Sequence, residues 1–183
     1  MKQVNETHGL TLTPLPTADE SDELDHLLWE VLWKPLGLPR NFRDSVRLDG
    51  EEYEIAAREH GRVIGGLMAI RTSRSDVEIR HIAVRPDLQM RGVGTLLVAS
   101  LVATVSGEGC TRVSAISRNT SAGFFEELGF RTIPDFLPEH PGFMRHGISF
   151  SADGKDDRMT GYRHAPVHSL PAGVRYGTRR FRG

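Results

Sequence analysis

Six consecutive residues, Gln89-Met90-Arg91-Gly92-Val93-Gly94, carry the densest chemical signal in the chain. Two glycines one residue apart let a backbone pass close to a ligand, and the Gln and Arg beside them donate hydrogen bonds to anionic oxygen. What flanks them sets the chemistry. Val77-Glu78-Ile79-Arg80-His81-Ile82-Ala83-Val84 comes before and is rich in β-branched residues, the mark of a strand. Leu96, Leu97, Leu101 and Val105 follow at helical spacing. A strand that turns through glycine into a helix offers a phosphate the unpaired N–H groups of the first helical turn, at the positive end of the helix dipole. The segment reads as a pyrophosphate cradle.

Two familiar cradles do not fit. A Walker loop needs Lys and then Ser or Thr after its last Gly, whereas Thr95 follows Gly94 directly. A dinucleotide fingerprint needs a third Gly where Leu97 stands. Other reactive groups are sparse. The single Cys110 excludes an internal disulfide and a multi-cysteine zinc site, and its place at the start of a predicted buried strand suits a small core residue. His164 and His168 are four apart, but Pro166 lies between them and no cysteine is near, so no metal site is expected.

The elements that must position these groups are legible in outline. A chain of 183 residues fits one domain. It divides into a flexible lead-in over residues 1–16, a folded domain over 17–150 and a basic C-terminal extension over 151–183. A helix begins near Thr17 to Ser21, places Leu24, Leu27, Leu28, Val31 and Leu32 on one face, and is stopped by Pro35. Residues 52–60 and 63–71 form a hairpin around Gly61-Arg62, and Gly65-Gly66 in its second strand marks a bulge or a close backbone approach. With the strand ending at Val84, this makes three antiparallel strands in succession. A helix over about 92–106 leads to a strand over 112–116, a short helix over 120–128, a strand near 130–133 and a last strand over 143–150.

Charge narrows the partners. Residues 158–183 hold six arginines and no acid, while the remainder carries 17 basic against 24 acidic groups. So acidic a body is a poor nucleic-acid surface. No window is apolar enough for a membrane span, and Met1-Lys2-Gln3-Val4-Asn5-Glu6 lacks the core of a signal peptide, so a cytoplasmic protein with no membrane partner is expected. Pairing with a second copy of the chain is left open.

The string Q-x-x-G-x-G after Ile82-Ala83-Val84 and Arg85-Pro86-Asp87 resembles the acyl-CoA-binding motif of the GNAT superfamily of N-acyltransferases. Ser121-Ala122-Gly123-Phe124-Phe125-Glu126-Glu127-Leu128-Gly129-Phe130 is similar to the short helix and Leu-Gly-Phe turn after the fifth strand of that fold. The resemblance spans roughly residues 52–130 with the preceding helical region. It implies an α+β fold, a mixed and mostly antiparallel sheet flanked by helices. It also implies acetyl-CoA as acyl donor and a primary amine, on a small molecule or a protein, as acceptor. A non-catalytic acyl-CoA sensor and a toxin acetylating aminoacyl-tRNA are the alternatives.

Carried over residue by residue, the resemblance makes Ile82 and Val84 pantetheine contacts along a cleft between the fourth and fifth strands. Gln89, Arg91, Gly92, Val93 and Gly94 become pyrophosphate contacts, with Arg91 either pairing with a phosphate or remaining a surface arginine. Asn119 is either a cofactor contact or the N-cap of the short helix. Amine acylation needs a base, and the run E-I-R-H-I-A-V is similar to the strand that bears a base glutamate in histone-type members. This assigns Glu78, unless it forms a salt bridge with a neighbouring arginine. His81 is the second candidate, although strand parity puts it opposite Glu78 unless a bulge intervenes. Phe125 stands where the family often has a Tyr that protonates the leaving thiolate, so Ser121, water or no acid fills that role. Trp33, Leu36, Phe136, Phe143 and Met144 are expected near the acceptor, with few acids besides Glu78. A small, partly apolar amine is then expected, unless Asp135 and Glu139 both face the cleft.

Overall fold

The computed structural model describes residues 10–14, 17–133 and 143–149. Their hydrogen bonding builds one seven-stranded sheet in the order β1-β2-β3-β4-β5-β7-β6. The strands are β1 (Leu10–Pro14), β2 (Glu52–Glu59), β3 (Arg62–Arg71), β4 (Asp76–Val84), β5 (Arg112–Arg118), β6 (Arg131–Ile133) and β7 (Phe143–Ser149). Only β4 and β5 pair in parallel. The described residues form four α-helices: α1 (Ala18–Leu28), α2 (Phe42–Ser45), α3 (Val93–Gly107) and α4 (Ala122–Glu127). The α+β architecture expected from the sequence is the one observed. One boundary differs, because Leu10–Pro14 pairs with Ile55–Glu59 as an edge strand inside the segment read as a flexible lead-in.

Local chemistry accounts for the elements. The Thr17 hydroxyl accepts from the Glu20 N–H at 3.3 Å while the Glu20 carboxylate accepts from the Thr17 N–H at 2.8 Å, a capping box that starts α1. Pro35 does not end the helix abruptly. The chain continues as one π-turn over Trp29–Trp33 and a 3-10 turn over Lys34–Leu36 before Gly37 leaves it at φ 71°. At the far end, Gly129 takes φ 83°, and the Phe130 and Gly129 N–H groups donate to Phe125 and Glu126 in a Schellman arrangement that closes α4.

Each face of the sheet has its own core. On one side α3 buries Leu97, Val98, Leu101, Val102 and Val105 completely against Ile55, Leu67, Ile79 and Val113. On the other, α1 lays Leu24 and Leu28 over Met68 and Ala83. The Gly65-Gly66 pair serves this second contact. A Cβ on Gly66 would lie 1.9 Å from Leu24 Cδ1, so the helix sits directly on the bare backbone of β3. The expected bulge is present as well, with Ala57 opposite Gly65 but Arg58 opposite Val63.

Candidate active site

The site begins where two strands part. β4 and β5 are hydrogen-bonded from Asp76↔Arg112 to Ile79↔Ala115 and no further, although β4 continues to Val84 and β5 to Arg118. Beyond Ile79 the β5-side edge of β4 has no ladder partner among the described residues. Its N–H and C=O groups are therefore open to an extended ligand. Ile82 and Val84 turn their side chains to the α3 core and leave backbone at this opening.

β4 then delivers the chain to the phosphate cradle. The Gln89 amide donates to the Val84 carbonyl at 3.1 Å, which folds the turn back onto the strand. Met90 at φ 62° and Gly92 at φ 80° reverse the chain, and α3 starts with Leu96 N–H donating to the Gly92 carbonyl at 3.0 Å. The N–H groups of Val93, Gly94 and Thr95 precede the first helical bond, and no side chain caps this terminus. Such a terminus binds an anion. Gly94 has a packing reason too, since a Cβ there would lie 3.2 Å from the Phe124 ring of α4. Val93 offers only its backbone, because its side chain is buried among Gly65, Leu97 and their neighbours; the expected phosphate contact is narrowed to the N–H. Arg91 is exposed beside the cradle.

The face of β4 turned toward α1 holds the titratable groups. Met68 of β3 faces His81 and Ala69 faces Ile79, so Arg80 is an extra, bulged residue. Glu78 faces Ile70 and His81 faces Met68, and residues two apart on β3 share a face. The bulge thus puts Glu78 and His81 on the same side, toward α1, and corrects the parity that had separated them. Glu78 is buried at 8% exposure, and its Oε1 accepts from Arg80 Nη1 at 2.5 Å. Burial pushes the His81 imidazole down to about 4, with the Arg80 and Arg43 guanidiniums adding to the effect. At neutral pH His81 is uncharged and able to accept a proton.

Around these groups the expected acceptor residues separate. Trp33 is buried and meets the His81 ring edge-on at 5.0 Å, as core packing that also walls the site. Leu36 is 52% exposed in the 3-10 turn that follows Trp33. Phe143 opens β7 opposite Arg118 on β5. Phe136, Asp135 and Glu139 lie outside the described residues, as do His164, His168 and the basic extension. Asn119 begins a 3-10 turn, and Ser121 is the residue at the N-cap of α4.

A depression between α2 and the sheet is lined by Arg43, Arg47, Glu52, Met68, Ile70, Arg80 and His81. Sequence reasoning did not anticipate these arginines. Arg43 is held by Asp25 and by Glu54 at 2.5 Å, tying α2 to α1 and β2. A larger groove, about 840 Å³, runs between the side of α1 that bears Asp19, Asp22, Glu23 and Glu30 and the residues Arg85, Pro86 and Asp87 that follow β4.

The position where the family often has a Tyr is an apolar ring in the core. Phe125 is buried, stacked 5.7 Å from the His146 ring at 12°. His146 is fully buried on β7, with Thr132 Oγ1 3.5 Å from its Nδ1 and Nε2 unpartnered among the described residues. Burial lowers its basicity, partly offset by Glu126. Ser121 is exposed at its cap.

A mixed sheet that parts between two parallel strands, above an uncapped helix terminus, defines an acyltransferase fold. The chain belongs to the acetyltransferase (GNAT) family, whose model matches residues 18–130. It is 36% identical over 100 residues to an amino-acid acetyltransferase of Neisseria meningitidis, covering 53% of this chain and 23% of that protein. It is 32% identical over 80 residues to an uncharacterized N-acetyltransferase of Chlorobaculum tepidum, covering 43% of this chain and 50% of that one. The chain therefore spans a half or less of these relatives' length. Among solved structures, an acyl-CoA N-acyltransferase from Pseudomonas aeruginosa superposes with a TM-score of 0.64 at 17% identity, over 76% of this chain and 99% of that one. A GNAT acetyltransferase from Elizabethkingia anophelis with acetyl-CoA bound gives 0.55 at 16% identity, over 78% and 99%. These likenesses establish the fold. No helix among the described residues is long and apolar enough to cross a membrane.

Proposed function

We propose that the protein is an N-acyltransferase that binds acetyl-CoA, or another short acyl-CoA, and passes the acyl group to a primary amine. The observation that carries this reading is succession: the open edge of β4 leads through the short turn over 85–92 to the uncapped N-terminus of α3. The pantetheine pairs with backbone at Ile82 and Val84, which sets the thioester at the fork near Ile79. The pyrophosphate sits on the N–H groups of Val93, Gly94 and Thr95, with Gln89 bracing the turn, Gly92 reversing it and Arg91 beside it.

An acceptor ammonium must lose a proton before its nitrogen attacks the thioester carbon. Glu78 is our base, acting through water, since one of its carboxylate oxygens meets Arg80 and the other is left to accept. Neutral His81, on the same face, is the second candidate. Of the proteins compared above only the Neisseria relative is named for an acceptor, and this chain covers less than a quarter of it, so the amine is left here between small molecule and protein. One observation favours a rival reading. Phe125 buries an apolar ring where a proton donor is expected, as suits a non-catalytic acyl-CoA sensor. Thiol release with a panel of amines separates the two, because a sensor binds acyl-CoA and releases no thiol above hydrolysis. If turnover is found and Glu78→Gln leaves kcat and its pH profile unchanged, the base is elsewhere.

A further inference from the structure

Charge is divided unevenly along this chain. Residues 158–183 carry Arg158, Arg163, Arg175, Arg179, Arg180 and Arg182 and no acidic side chain. The groove of about 840 Å³ beside α1 has the opposite character, with Asp19, Asp22, Glu23, Glu30 and Asp87 against Arg62 and Arg85. Leu27, Val31, Val63 and Pro86 line it too, so apolar surface lies between the charges.

The acids along α1 work against the helix that bears them. Asp19, Asp22 and Glu23 stand three and four apart, a spacing at which like charges destabilise a helix. The dipole favours Asp19 in the first turn but disfavours Glu30 toward the C-terminal end, where Lys34 is 4.0 Å away. The carboxylates of Asp19 and Asp22 have no partner among the described residues, since Arg40 donates only to the Asp22 backbone carbonyl. A cation brought from outside the helix would relieve this repulsion.

We infer that the groove is the docking site of the chain's own residues 174–183, laid along α1 in extended form. This segment holds four of the six arginines, with Val174, Tyr176 and Phe181 among them to meet the apolar lining. Extended, Arg180 and Arg182 project to the same side about 7 Å apart, close to the ~5.4 Å pitch that separates carboxylates one helical turn apart. A guanidinium also suits a carboxylate through paired hydrogen bonds.

The chain is long enough to reach. Ser149 ends β7 opposite Arg112, which pairs with Asp76 at the start of β4, whereas the groove lies beside Arg85 to Asp87 past the other end of β4. Nine residues of β4 span about 30 Å, and the strands from β7 across to β3 add about 15 Å sideways. About 15 extended residues cover that path at ~3.3 Å each, and residues 150–173 exceed them. A metal ion is a poorer occupant, because no group of three His, Cys, Asp or Glu among the described residues is placed to hold one. A basic segment of another molecule has the right chemistry but must come from solution, whereas a tethered one is present at an effective concentration of about millimolar. Docking here does not depend on acyl transfer.

The test uses the full chain with Arg180→Lys and Arg182→Lys, which keep the charge and supply amines for a zero-length carbodiimide. Mass spectrometry then locates the links. Exposed Asp49 is the control, because it precedes β2 at the same end of the sheet as Ser149 and is nearer to where the segment begins. At about 50 mM salt the new amines should couple to Asp19, Asp22, Glu23 or Glu30 of the same chain at least about fivefold more than to Asp49. At about 0.5 M salt, where the Debye length is about 4 Å, that preference should vanish. Asp22→Asn with Glu23→Gln should lower coupling to Asp19 and Glu30 at least about fivefold and leave Asp49 unchanged. If those substitutions unfold the protein, the salt comparison on the intact groove still decides. A smaller preference, one that survives salt, or the absence of links overturns the inference. So does linking only between chains, read by mixing isotope-labelled and unlabelled protein, since the occupant is then another molecule.

Discussion

Gly92 allows the phosphate cradle to be tested apart from the stability of the loop that makes it. It sits at φ 80°, where an L side chain is strained, and a Cβ there would find nothing within 4 Å. The penalty for Gly92→Ala is therefore backbone strain alone, about 1 kcal/mol. For a chain of this size that lowers Tm by roughly 2–4 °C. The strain is present with or without ligand, so it should leave CoA affinity within about threefold, since 1.4 kcal/mol of differential binding makes a decade. Gly92→Asp reverses the pattern. Aspartate tolerates the left-handed region better, and a carboxylate at a helix N-terminus gains roughly 0.3–1 kcal/mol, so apo stability should fall less than in the alanine variant. The same carboxylate occupies the anion site. Against a phosphate charge about 4 Å away it is worth about 1 kcal/mol in water and about 4 kcal/mol at a protein surface, a loss of about fivefold to several hundredfold in affinity. Added salt should recover part of it. Isothermal titration of CoA at two ionic strengths, with thermal melts of the apo proteins, reads both quantities. Equal CoA affinity in wild type and Gly92→Asp, or an alanine variant as weak as the aspartate one, would refute the placement of the pyrophosphate.

Two further outcomes follow from the opposite face of the sheet. His81 titrates near 6.5 when unfolded and near 4 in the folded protein, so the unfolded chain binds more protons between those values. Stability present above about pH 6.5 is then lost as pH falls toward 4, by about 3 kcal/mol for this one group. Urea denaturation at pH 7 and pH 4.5 should show a smaller pH-dependent loss in His81→Leu than in wild type, and equal losses would place the acid sensitivity elsewhere. Gly66→Ala should destabilise the protein by about 1–3 kcal/mol, because its Cβ would fall 1.9 Å from Leu24 Cδ1 and press α1 off the sheet. Unchanged unfolding would mean that α1 does not rest on β3 as described.

The two ends of the site differ in how far local sequence determines them. The phosphate end is a local object. Glycine at 92 and 94, a β-branched strand before them and an apolar helix after them settle backbone conformation over a few residues, and the N–H groups proposed to hold the pyrophosphate belong to that backbone. The Leu-Gly-Phe turn is legible for the same reason, since Gly129 alone decides where α4 ends. The chemical end depends on register instead. Whether Glu78 and His81 share a face is decided by one extra residue in β4 measured against β3, and no propensity in E-I-R-H marks Arg80 as that residue. Arg43 and Arg47 are more remote still, brought over the sheet by a four-residue helix whose anchors, Asp25 and Glu54, lie on two other elements. The Tyr-to-Phe departure at 125 was visible, yet its neighbour His146 was not, because only strand pairing carries β7 under α4. The proposed donor end is thus written in short-range backbone chemistry, while the surroundings of the proposed base are written in long-range pairing.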